Sequence, residues 1–341
     1  MCFLTFINSC GIICDVLRGN FMNKFLRQAE SIISRRFDKS DENYGLLVMG
    51  CFALLSKFGD EYLPIVEKVM LETDFHIGNK PLSELLNDGG IAAEDAFRGE
   101  EFYDTEMTVT AISSPGIDLW VEDGKIMMEK ETPAIFCTTI DGDATTILNA
   151  FVHEVAHLIK STVNVVYSDS PKHFLVRNGL NIFGLSFEKN SPLEPNDNSM
   201  LDEVINVLQT ADMMRAVKEL NGSPMSDEVL RFYRELDLDR IDLLYGYDEL
   251  TSFVLPLWSN DYFRSSIENN IVIGRIDRIR NDFDSIMGAN SFHYYSTYLD
   301  YIDGNYDDEK LINNMKDWYD RMNRTYAMRT RVLSMANRNK K

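Results

Sequence analysis

Two of the five histidines in this 341-residue chain fall in one run, FVHEVAHLIK at 151–160, and a glutamate directly follows the first. Positions four apart on a helix project from one face about one turn apart, so His153 and His157 can offer imidazole nitrogens to a single ion. Zinc suits such ligands, and leaving one of its four positions to water makes a site catalytic, because the metal lowers that water's pKa toward about 7. Glu154 projects roughly 100° around the helix from His153, which suits a general base that takes a proton and passes it to a leaving amine. The bland alternative is a buried helix with two satisfied core histidines, but it leaves Glu154 buried without a partner, which is costly.

These residues need a helix and a scaffold to hold it. DGDATTILNAFVHEVAHLIKSTV supplies the helix, with Asp143 as N-cap and apolar residues at 147, 148, 151, 152, 155, 156, 158 and 159 nearly surrounding it, the pattern of a buried element. Upstream, TVTAIS, IDLWVEDGKIMME and PAIFCTTI are rich in Thr, Ile, Val and Trp and predict two or three strands, with a tight turn at Asp123 and Gly124. Downstream, HFLVRNGLNIFGLSFE predicts a hairpin turning at Asn178 and Gly179, SPLEPNDNS a loop, and MLDEVINVLQTADMMRAVKEL a second long helix. Residues 23–72 carry helical apolar spacing broken at SDENYG and KFGDEYLP, and the chain beyond NGSP at 221 reads as mostly helical.

At this point the chain resembles a known superfamily. HEVAH in a helix preceded by strands is the signature of the zincin metallopeptidases. The run HEVAHLIKSTVNVV lacks the glycine and third histidine of the metzincin branch, so the resemblance implies the gluzincin-like arrangement, in which a glutamate on a following helix completes the site. That glutamate is then Glu203 in NSMLDEVINVLQTADMM, in a pattern similar to the "LNEG" glutamate helix of many bacterial HExxH proteins. Asp202 and Val204 replace the usual asparagine and glycine, which keeps Asp202 in contention as the ligand, and a first-turn glutamate solvated at the helix dipole is the plain alternative for Glu203. Asn206, one turn on, could accept from a ligand histidine's second ring nitrogen.

The resemblance implies an α+β, zincin-like fold: a small, mainly antiparallel sheet packed on the HExxH helix, with helical N- and C-terminal lobes. The expected divisions are a doubtful leader at 1–21, a helical lobe at 22–100, a catalytic core at 101–220 and a helical lobe at 221–341. It implies one zinc ion, held by His153, His157 and Glu203, and peptide-bond hydrolysis with Glu154 as general base. The substrate would be a peptide or protein held in extended form beside an edge strand, with PAIFCTTI the expected edge. Zincins often add an oxyanion-stabilising tyrosine or histidine, and LLYGYDELTSFVLPLW offers Tyr245 and Tyr247. Aromatic packing is the simpler reading of both tyrosines, and His76, His173 and His293 read as ordinary surface or core histidines. Two other readings use the same residues: a zincin-fold binding or regulatory module without catalysis, and a helical interaction protein with a chance HExxH.

Composition narrows the partners. Fifty-four acidic against 34 basic residues give a net charge of −20, which disfavours nucleic acid or an anionic membrane as a partner. The basic tail RMNRTYAMRTRVLSMANRNKK reads as a solvated helix face. The cysteines at 2, 10, 14, 51 and 137 form no C-x-x-C pair, which predicts a reducing, cytoplasmic location. The opening MCFLTFINSCGIICDVL has no basic residue before its apolar run and is interrupted by Asn8 and Asp15, a poor signal peptide. Met22 opens an ordinary cytosolic-looking start, with a lipoprotein anchor at Cys10 as the other option.

Overall fold

A computed structural model describes residues 21–91, 110–140, 142–162, 165–170, 173–186, 191–193, 198–244 and 248–303, with 313, 317, 320, 321 and 324. Over these the fold is mixed α+β. Among the described residues, no helix is long and apolar enough to cross a membrane.

The chain divides into two compact units: Met1–Gly116, Thr132–Ala156 and Gln209–Leu243 in one; Ile117–Glu131, His157–Leu208 and Leu244–Lys341 in the other. In the first unit, helix α1 (21–33) buries Phe25, Ile32 and Ile33. Helix α2 (Tyr44–Phe58) is apolar on every side and buried along nearly its whole length, as such a helix must be. It stops at Gly59, whose φ of 62° lies where a side chain would be strained and whose N–H returns to the Leu55 carbonyl. Pro64 starts helix α3 (Leu63–Glu72) in the first-turn position where its missing N–H does no harm.

Strand β1 (Asp74–Gly78) follows and interrupts the stretch expected to be wholly helical. Helix α4 (Leu82–Asp88) precedes strand β2 (Ala111–Ser114) and strand β5 (Ala134–Thr138). The three strands form one sheet in the order β1-β5-β2, with β1 parallel and β2 antiparallel to β5. PAIFCTTI therefore supplies the internal strand, not the expected edge, because both of its sides are paired. Its full burial through Ile135, Phe136 and Cys137 is what an internal strand covered on both faces requires.

Strand periodicity assigns the two faces. Phe136 and its neighbour Ile112 pack on Leu82, Leu85 and Leu86 of α4, and His76 stacks on the Phe136 ring at 4.7 Å. The next rung, Phe75, Ile135 and Ser113 in register, turns the other way, toward helix α5 (Ala144–Lys160), where Phe75 meets Phe151 at 5.5 Å between ring centres. Asp143 caps α5 as expected, accepting the Thr146 N–H at 2.8 Å.

In the second unit, strands β3 (Ile117–Glu122) and β4 (Lys125–Lys130) form the hairpin expected at Asp123 and Gly124, with φ of 48° and 75° at the two loop residues. A four-stranded antiparallel sheet runs in sequence order through β6 (Val165–Ser170), β7 (His173–Asn178), β8 (Asn181–Ser186) and β9 (Ser191–Leu193). The β7–β8 turn lies one residue later than expected, at Gly179 and Leu180, because Asn178 still pairs with Asn181. SPL at 191–193, expected in a loop, is a three-residue edge strand, a place that tolerates Pro192. The long helix α6 (Ser199–Lys218) follows, with its residues to Leu208 in this unit and the rest in the first. Helix α7 (Asp227–Glu235) belongs to the first unit. Helices α8 (Asp248–Trp258), α9 (Asp261–Asn270), α10 (Ile276–Met287) and α11 (Ser291–Asp303) follow in the second, so that the described run 248–303 is mostly helical.

Candidate metal centre

Helix α5 presents two working stripes. Phe151 and Glu154, three apart, face the sheet, where the Ser113 hydroxyl of β2 donates to Glu154 Oε2 at 2.7 Å. His153, His157 and Lys160 follow one another at spacings of four and three, and this stripe meets the first turn of α6.

His153, His157 and Glu203 each offer a ligand atom, and the three lie within 4.8 Å of one another. His157 Nε2 is 3.2 Å from Glu203 Oε1 and 3.3 Å from Oε2. On the other side of the same ring, Nδ1 is 3.2 Å from Asp202 Oδ2. The two neighbouring carboxylates thus take different nitrogens. Asp202 also receives Lys160 Nζ at 3.3 Å on both oxygens and the Leu180 N–H at 3.0 Å on Oδ1. Its lone pairs are spent on the scaffold, whereas Glu203 is less buried and faces the second histidine. Of the two candidates left open by the sequence, Glu203 is the one that lies in the group able to hold an ion, while Asp202 meets the other nitrogen of His157, the contact that had been weighed for Asn206, itself fully buried one turn further along α6.

The electrostatics follow from burial and neighbours. Burial works against a charged His157, but the Glu203 carboxylate, opposed by Lys160 and aided by hydrogen bonds to Asp202 and Glu203, holds its pKa up at about 10. Burial likewise works to raise the Asp202 carboxyl, and Lys160 and His157 outweigh it, so this group is held below the usual carboxylate range. His157, Asp202, Glu203 and Lys160 thus form one connected network of opposite charges.

The turn after β7 lies against Asp202. Ser161 Oγ bonds the Asn178 side-chain oxygen and donates to the His157 carbonyl at 2.8 Å. Asn198 Nδ2 donates to the Leu180 carbonyl at 3.0 Å. Arg177, fully buried, donates from Nη1 to the carbonyls of Gly179 and Ile271, both at 2.9 Å, and burial lowers its pKa to about 10.

Ser113, Lys160 and the Gly179–Leu180 turn were not among the expected site residues. Lys160 carried a signal: a lysine on a helix that is apolar nearly all round must find a buried carboxylate. Ser113 carried none. His76 and His293 stand apart from the cluster, the first on the Phe136 ring and the second exposed on α11. His173 lies in β7, and Tyr245 and Tyr247 fall outside the described residues.

Comparison with protein-family models, with curated proteins and with solved structures gives no match.

Proposed function

We propose that the chain is a zinc-dependent peptidase of zincin-like fold, its one zinc ion held by His153, His157 and Glu203. The observation that carries this reading is the convergence of those three side chains within 4.8 Å, with Asp202 engaged on the outer nitrogen of His157. Two imidazoles and one carboxylate form a nitrogen and oxygen donor set suited to a catalytic zinc with one position left open, and the carboxylate behind His157 is the partner such a ligand needs. When bound, zinc would supply Lewis-acid polarisation of a peptide carbonyl and a lowered pKa for an attacking water.

The chain's own residues do the rest. Glu154, one residue from a ligand yet turned to the sheet, takes the proton from the attacking water and delivers it to the leaving amine. Ser113 occupies its Oε2 and leaves Oε1 to act. Strand β2 ends its sheet among the described residues and runs antiparallel to β5, so an extended peptide would pair along β2, in place of the strand expected from the sequence.

The test is metal content by elemental analysis for wild type, Glu203→Ala and Glu154→Gln, with hydrolysis of a mixed peptide library on the same samples. The reading predicts zinc in wild type and Glu154→Gln, loss of it in Glu203→Ala, and cleavage by wild type alone. Zinc without cleavage in wild type would leave a metal-bearing binding module, and no zinc would leave a core helix.

A further inference from the structure

Asp202 is gripped from more sides than charge balance requires. Lys160 reaches it from the last turn of α5, with no exposed surface of its own. The Leu180 N–H reaches it from the β7–β8 turn. Gly179 in that turn has a φ of 62° and lies so close that a Cβ there would overlap both carboxylate oxygens. The turn is in turn fixed by Asn198 on Leu180, by Arg177 on Gly179 and by Ser161 on Asn178.

A carboxylate held this way can present Oδ2 to His157 Nδ1 in one direction only. A neutral imidazole has one N–H, and a carboxylate on Nδ1 places that hydrogen there, so that the Nε2 lone pair is the one turned to the Glu203 side. Ring orientation and tautomer are thereby both set, and outer partners of this kind tune metal affinity strongly.

We propose that Lys160 and the Gly179–Leu180 turn are positioning elements of the metal centre, clamping Asp202 so that it turns His157 with Nε2 toward Glu203. The inference rests on the metal reading above. It gives the buried lysine and the obligatory glycine a role in ligand geometry, where a merely structural role would end at fold stability.

The experiment measures zinc affinity of the full chain by competition with a chromophoric chelator, for wild type, Lys160→Met and Gly179→Ala, with circular dichroism to verify folding. Both variants are expected to bind one zinc at saturation with affinity weakened about 10- to 100-fold. Folded variants within twofold of wild type would overturn the proposal. In parallel, nitrogen-15 imidazole spectra of zinc-loaded wild type should show His157 protonated at Nδ1 and metal-bound at Nε2. The opposite assignment would overturn the proposal even if both variants failed to fold. Wild type that takes up no zinc would sink the metal reading itself, a result distinct from zinc-bearing wild type with indifferent variants.

Discussion

Ser113 Oγ lies 2.7 Å from Glu154 Oε2, joining the edge strand of the first sheet to the residue assigned the proton transfer. Replacing Ser113 by alanine should leave zinc content and KM unchanged and lower kcat about tenfold, the kinetic equivalent of about 1.4 kcal/mol from one charge-assisted hydrogen bond. Threonine at 113 should restore most of the rate. Steady-state kinetics on a peptide cleaved by wild type checks this, and an alanine variant with wild-type kcat would remove Ser113 from the mechanism.

Glu154→Gln removes the carboxylate proposed as the base while keeping its shape. It should retain one zinc and lose about 10²- to 10⁴-fold in kcat, the usual span of general acid–base catalysis. Loss of the metal along with the activity would make Glu154 a structural residue.

Zinc should also appear as stability. At a free concentration about 100 times Kd, binding adds about 2.7 kcal/mol to the folded state. Thermal unfolding with zinc and with chelator should therefore differ for wild type and coincide for His153→Ala and Glu203→Ala.

The cap of α5 gives a pH signature. Asp143 accepts the Thr146 N–H, and that hydrogen bond holds its pKa below the ordinary 3.8. A carboxylate depressed in the folded state contributes stability above its unfolded pKa and loses it as pH falls through the lower folded value. Asp143→Ala should cost about 1 kcal/mol at pH 7, and its deficit should shrink on going below pH about 4. Asparagine should keep most of the cap and remove the pH dependence. Urea unfolding at neutral and acid pH decides between these outcomes.

Gly50 of α2 has no room for a side chain, since a Cβ would lie 2.5 Å from Phe151 Cε1. Gly50→Ala should cost about 1–3 kcal/mol through overpacking, more than a helical propensity gain can offset. A Gly50→Ala protein as stable as wild type in denaturant would show that Phe151 can move aside.

What could be foreseen from the sequence follows local chemistry. The spacing of His153 and His157, the Asp143 cap, the Asp123–Gly124 turn and the second long helix with Glu203 are each written in one short continuous segment, and the structure forms each of those elements. What escaped depends on pairing between distant segments. DFHIG is too short and too evenly half-buried to show alternation, so β1 was hidden, and with it the internal place of β5. Ser113 gains its meaning only when β2 lies beside β5 with that rung facing α5. That Asp202 and Glu203 meet different nitrogens likewise needed the ring of His157 between them.

The two described cysteines offer a clock for the first unit. Cys51 on α2 and Cys137 on β5 are both completely buried, and burial pushes both thiols up, Cys137 to about 12. Only a thiolate attacks a disulfide reagent, so neither sulfur can react from the native state at neutral pH. With Cys2, Cys10 and Cys14 replaced, labelling of the remaining pair would proceed only through opening. Equal rates at the two sulfurs would mean that the helix and the sheet open together, and unequal rates would reveal which gives way first.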